Sequence, residues 1–173
     1  MAGIKRWWFE RSLVPQVQQS HYFQGRTNKH IGIVTDVCED FRKLNDFILK
    51  EKSNNNKINL LQLKLKNAHL TDEEKSYTIG SKNVNWYGVP KSESCNYFLE
   101  DNYDICYFLF KDVSLPAEYI LRTVKSGVKL GFAHKEFVPY LDFCIDSKED
   151  INGQFSYLLE SASKLLFGTR KHA

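Results

Sequence analysis

Six consecutive apolar residues, Ile105-Cys106-Tyr107-Phe108-Leu109-Phe110, constrain this chain more than any other stretch. A strand turns successive side chains to opposite faces, so an unbroken apolar run of this length requires cover on both sides. The run therefore predicts the central strand of a sheet sandwiched between helices. The flanking sequence agrees. From His30 onward, apolar runs of strand length alternate with segments of helical period, the signal of a mostly parallel sheet in an α/β fold.

Ile31-Gly32-Ile33-Val34 predicts a first buried strand just before Asp36. Phe41, Leu44 and Ile48 then share one helical face behind Glu39 and Asp40, whose charges suit the positive end of a helix dipole. After a polar loop at 53–57, residues 58–65 alternate from Leu61 on, as a half-buried strand does. Residues 68–91 are harder to read, although Tyr77-Thr78-Ile79 fits a short strand. A short helix fits Ser92 to Leu99. For the next helix Ser114 is the expected cap, Pro116 suits the first turn and Gly127 the left-handed end, about three turns in all. Residues 128–132 and 141–145 fit two further strands with Pro139 between them. In the last helix Phe155, Leu158, Leu159, Ala162, Leu165 and Leu166 line one face behind Asp150, a candidate cap.

The expected architecture is a three-layer α/β domain, flavodoxin-like or Rossmann-like, over residues 30–168. A basic aromatic N-terminal helical arm (1–29) precedes it and a short basic tail (169–173) follows. A length of 173 residues suits one domain, typically about 100–200 residues, and 42% hydrophobic residues suffice for a core. Cys38, Cys95, Cys106 and Cys144 are widely spaced with no CxxC pair, so they read as reduced thiols of a cytoplasmic protein. Glu10, Arg11 and Pro15 interrupt the apolar stretch at Trp7-Trp8-Phe9 before a signal-peptide core can form, and no run approaches a membrane span of about 20 residues. The expectation is a soluble, unexported chain.

Charge divides unevenly within the net +3. The first 30 residues carry +4 and residues 164–173 carry +3, which leaves −4 for the body. Two readings of the basic, aromatic N-terminus stand. Lys5, Arg6, Trp7, Trp8 and Arg11 form either a partner-binding arm or a helix packed across the domain's own edge with its cations solvated. As an arm, it suits a protein or nucleoprotein partner, or peripheral contact with a membrane. The acidic body argues against a broad nucleic-acid-binding face.

Ligands of open α/β sheets bind beyond the carboxyl ends of the strands, which directs attention to residues 35–40. Thr35-Asp36-Val37-Cys38-Glu39-Asp40 lacks glycine and carries three carboxylates, so it is a poor phosphate cradle. Cys38 stands near a helix start, but its acidic neighbours oppose a thiolate, and a structural cysteine is the better reading. Asp36 lacks the second acid two positions on that an aspartyl nucleophile would want, and reads as a turn residue. A small-ligand pocket, if the domain has one, falls near Asp36, Asp112 and Ser114. The five histidines show no metal-ligand spacing, no GxSxG elbow is present, and no cofactor or metal is expected. The loop from Asn83 to Lys91, with Trp86, Tyr87, Gly88 and Pro90, is either a rigid turn closing the core with Trp86 or a recognition loop.

Two resemblances follow from such residues. The succession Ile31 to Asp36, Asn85-Trp86-Tyr87-Gly88-Val89-Pro90, Tyr103-Asp104-Ile105, Leu115 to Ile120 and Lys129 to Phe132 resembles an uncharacterised family of short cytoplasmic Bacteroidota proteins. That likeness spans about residues 28–167 and implies the α/β fold but no activity. More locally, Tyr103-Asp104-Ile105 through Lys129-Leu130-Gly131-Phe132 is similar to the N-terminal Rossmann-like half of heptosyltransferase-type GT-B glycosyltransferases. Those enzymes bind the sugar nucleotide mainly through a second half for which this chain has no room. The functional expectation is a non-catalytic cytosolic interaction module, meeting a macromolecular partner through the N-terminal arm or the Trp86 loop. A small-ligand-binding or transferase-like protein is the alternative.

Overall fold

A computed structural model describes residues 2–13, 28–36, 42–65, 76–146 and 151–167. Six strands among them form one all-parallel sheet: β1 (His30–Thr35), β2 (Lys57–Lys64), β3 (Thr78–Gly80), β4 (Asn102–Leu109), β5 (Lys125–Phe132) and β6 (Phe143–Ile145). Their order is β3-β2-β1-β4-β5-β6. The described helices are α1 (Ala2–Ser12), α2 (Arg42–Ser53), α3 (Glu93–Glu100), α4 (Leu115–Thr123) and α5 (Ile151–Phe167).

The apolar run in β4 sorts its side chains by strand period. Cys106, Phe108 and Phe110 pack with Cys95 and Phe98 of α3 and Ala117, Ile120 and Leu121 of α4. Ile105, Tyr107 and Leu109 face the other way, toward Leu44 of α2 and Phe155, Leu158 and Ala162 of α5. Burial of each such large side chain is worth about 1.5–3 kcal/mol. This is the expected three-layer fold, and β4 holds the expected place in the sheet, between β1 and β5. The half-buried reading of β2 is corrected, because Leu61, Gln62 and Leu63 are all buried. With β1 on one side and β3 on the other, β2 is an interior strand rather than an edge.

Ser92 and Ser114 cap α3 and α4, accepting from Cys95 N at 3.2 Å and Ala117 N at 3.3 Å. Pro116 lies in the first turn of α4, as expected. The end of that helix differs from expectation. It stops at Thr123, where Val124 N donates to Ile120 O at 2.9 Å, and Gly127 lies within β5. Pairing of Lys125 and Ser126 with Asn102 and Tyr103 of β4 draws these residues into the sheet. Lys129 Nζ then donates to Leu121 O at 2.8 Å, a cation on the carbonyl end of the helix, and burial holds its pKa below the ordinary lysine value. The strand expected at 141–145 is likewise shorter. Val138–Tyr140 form a 3-10 turn, and the Asp142 carboxylate accepts from Lys129 N at 2.8 Å, leaving Phe143–Ile145 as β6. Glu39, Asp40, Phe41, Asp150 and the tail at 169–173 lie outside the described residues.

Candidate functional site

Two places follow from this framework: the crevice beyond the ends of β1 and β4, and the outer flank of α4. In a sheet of this order β1 and β4 send their connections to opposite faces, and ligands seat between their carboxyl ends. Here that position is bridged by the protein itself. The Asp36 carboxylate accepts from Lys111 N at 2.7 Å through Oδ1 and from Asp112 N at 3.0 Å through Oδ2. Thr35 Oγ1 donates to Leu109 O at 3.2 Å one residue deeper, and His134 Nε2 lies 2.8 Å from Phe110 O. Burial raises the Asp36 pKa above the ordinary carboxylate value, against the lowering effect of the two amides. Asp36 and Asp112 do come together, but through the backbone of Asp112, and Ser114 is engaged as the cap of α4.

Cys95 and Cys106 are free and buried in the core. Burial pushes Cys95 up to about 12 and Cys106 further still, so neither is a thiolate near neutrality. Cys38 lies outside the described residues. Among those described, no group of three His, Cys, Asp or Glu side chains is placed to hold a metal ion.

On the outer flank, α1 docks along α4. Phe9 is fully buried beside Tyr119, with ring centroids 6.3 Å apart. Arg6 donates to both oxygens of Glu118 at 2.6 and 2.7 Å, and Arg122 donates to both oxygens of Glu10 at 3.1 and 2.9 Å. Arg6 also meets Glu10, and Arg122 meets Glu118, so four charges alternate in a closed ring. Glu118 is the buried member, 3% exposed, in the middle of an otherwise apolar helix face. The reading of α1 as a helix across the domain's own edge thus describes its inner face, but with Arg6 paired rather than solvated. Arg6, taken from sequence as a partner-binding residue, is held by Glu118.

The opposite face of α1 combines apolar rings with one cation. Ile4, Trp7, Trp8 and Arg11 recur at i, i+3, i+4 and i+7, away from Arg6, Phe9 and Glu10. Trp7 and Trp8 are 51% and 45% exposed, in edge contact at 5.1 Å, with the Arg11 guanidinium 4.8 Å over the Trp7 ring. Trp8 reaches Tyr87 at 6.3 Å, and Tyr87 meets Trp86 edge-on at 5.3 Å. Trp86 is 61% exposed, so the reading in which it closes the core is corrected.

The loop bearing Trp86 is fixed by its own hydrogen bonds. Asn85 Oδ1 accepts from Tyr87 N at 3.2 Å and Val89 N at 2.9 Å, Lys91 N donates to Asn83 O at 2.6 Å, and Val84 bridges Pro90. Gly88 adopts φ +98° and lies so near α4 that a Cβ there would come within 2.4 Å of Leu115 Cβ. Packing on α4 joins two segments that the sequence presented as alternatives. Trp7, Trp8, Arg11, Trp86 and Tyr87 belong to one surface, Lys5 is exposed on the same helix as the first three, and Asp36, Asp112 and Ser114 belong to another.

The strand order and the covered sheet define a doubly wound α/β domain of the Rossmann order. Residues 5–166 match the model of a family of unknown function (DUF6913), and the chain belongs to that family. No curated protein and no solved structure matches the chain significantly.

Proposed function

We propose that the protein is a non-catalytic interaction module of the cytosol that docks onto a larger partner through the surface formed by Trp7, Trp8, Tyr87 and Trp86. One observation carries this reading: all three tryptophans of the chain are exposed and belong to a single run of touching rings. Aromatic side chains supply much contact area at little conformational cost, and a rigid loop and a docked helix present them ready-placed. The free thiols of Cys95, Cys106 and Cys144 support a reducing compartment. Engagement of Asp36 and Ser114 by the fold weighs against the ligand-binding alternative.

The test compares the wild-type chain with a Trp7→Ala/Trp8→Ala/Trp86→Ala variant in native extracts of the source cells. Wild type should migrate in a species larger than its 20.2 kDa, and the folded variant as a free chain. Identical migration of the two would remove this surface from the function.

A further inference from the structure

We infer that the partner of this surface is an anionic lipid bilayer, with the tryptophans and Tyr87 seated at headgroup depth; the inference rests on the docking reading above. The division of aromatic types is the first support. Phenylalanine fills the interior, where Phe9, Phe98, Phe108, Phe110, Phe132, Phe137 and Phe155 are buried together with Tyr103 and Tyr107, whereas every tryptophan lies outside. Trp and Tyr combine an apolar ring with a polar N–H or O–H, the composition that favours the membrane–water boundary. Ile4, 64% exposed, extends the same face of α1 toward the N-terminus.

Charge is the second support. The segments that build the surface, residues 2–12 and 81–91, contain Lys5, Arg6, Arg11, Lys82 and Lys91 against one carboxylate, Glu10. Glu10 is turned toward the domain, where Arg122 and Arg6 hold it. Lys5, Arg11, Lys82 and Lys91 are exposed on these two segments, with the Arg11 guanidinium directly over the Trp7 ring, which matches an acidic partner. A second copy of this chain is a poor occupant, because a two-fold contact would face these cations with themselves. The body between residues 31 and 163 carries a net −4, so an anionic bilayer would be approached through the basic N-terminal segment rather than through the body as a whole. The docked helix and the loop together form an amphipathic, basic-rimmed face that lies on a membrane without crossing it. No described helix is long and apolar enough to cross one.

The experiment uses the full chain with extruded vesicles of phosphatidylcholine alone or mixed with phosphatidylserine, at low salt. Because all three tryptophans lie in the surface, intrinsic fluorescence reports on it directly. The expected result is sedimentation with the mixed vesicles, a blue shift of the emission, and loss of both at high salt. Lys5→Ala/Arg11→Ala should weaken partitioning about 25-fold, fivefold for each cation at about 1 kcal/mol near an anionic surface. Trp7→Ala/Trp8→Ala should weaken it at least about tenfold through lost buried apolar area. Trp86→Ala, in the loop rather than the docked helix, does the same should the first pair disturb folding.

Absence of sedimentation and blue shift with the mixed vesicles overturns the inference, as does binding that survives all of these variants. A single-stranded oligonucleotide that quenches the tryptophans while vesicles do not would also overturn it, in favour of nucleic acid. If vesicles are inert yet the triple alanine variant still leaves its native assembly, the lipid assignment fails and the docking surface stands. If neither experiment responds, both fail.

Discussion

Arg6 separates two accounts of the N-terminal segment, because a residue that serves a partner and a residue that serves the fold respond differently to removal. Arg6→Ala takes two of three charge-assisted bonds from Glu118 and leaves its buried carboxylate with Arg122 alone, at 3.0 Å. Breaking a fully buried pair costs about 3–5 kcal/mol, whereas an exposed pair is worth less than about 1 kcal/mol. The Arg6 side chain is 47% exposed, so solvent screens it in part, and the surviving Arg122 bond reduces the loss again. An intermediate cost of about 2 kcal/mol follows. Urea is the suitable denaturant, since guanidinium chloride would screen the ring of charges. With a slope of about 2 kcal/mol/M, the midpoint should fall by about 1 M. Lys5→Ala, one residue away and exposed, should stay within about 0.5 kcal/mol. In the double variant Arg6→Met/Glu118→Met the loss should be largely recovered, because the buried charge goes with its partner. An Arg6→Ala midpoint matching that of Lys5→Ala would refute the structural role of Arg6, as would additive losses in the double variant.

Three further outcomes are expected. Gly88→Ala should cost at least about 2 kcal/mol, since positive φ and contact with Leu115 Cβ act together; a urea midpoint equal to wild type would contradict the close approach. His30 has its pKa lowered, chiefly by burial and then by Lys57, so the folded state resists the proton that the unfolded chain accepts near 6.5. Its contribution is therefore full above that pH and is lost as pH falls from 6.5 through the folded value; His30→Gln should flatten the slope of unfolding free energy in that window, and an unchanged slope would refute it. Asp36→Ala deprives the Lys111 and Asp112 amides of their acceptor and should cost about 1–3 kcal/mol. It should also make the protein newly stabilised by sulfate in a thermal-shift titration, and indifference to sulfate in wild type and variant alike would show that the carboxylate does not stand in an anion's place.

What the sequence discloses here depends on how local the deciding interaction is. β4 was legible because alternate residues of one run must each find cover, a condition written within six positions. The start of α4 was legible for the same reason, as Ser114 and Pro116 act within a turn of their own positions. Its end was not, because Gly127 satisfies a helix stop equally well as a strand residue, and pairing with β4 decided between them. The ring of charges joins positions 112 apart, and its one local signal was Glu118 within an apolar helix face, a carboxylate that burial obliges to find a cation. The aromatic surface was half legible. Trp7, Trp8, Trp86 and Tyr87 were each singled out, but only the packing of both segments on α4 makes them one face.

The same framework bears on how the customary crevice of this fold is closed to an anion. An anion entering between β1 and β4 would look to the amides beyond β4 and to the first turn of α4. The former are held by Asp36 at 2.7 and 3.0 Å, and in the latter Ala117 N is held by Ser114 Oγ at 3.3 Å. The approaching charge would also meet the carboxylate of Asp36, with Asp112 beside it. At about 4 Å and an effective dielectric of about 20, one such pair repels by about 4 kcal/mol, more than the roughly 1.5–3 kcal/mol of a hydrogen bond to a charged group. Asp36 thereby does for the strand ends what a bound phosphate does elsewhere, but permanently and by covalent attachment to β1. A sheet so fastened is a rigid support, and α4, capped at one end by Ser114 and held at the other by Lys129, is the strut on which α1 and the Trp86 loop are carried.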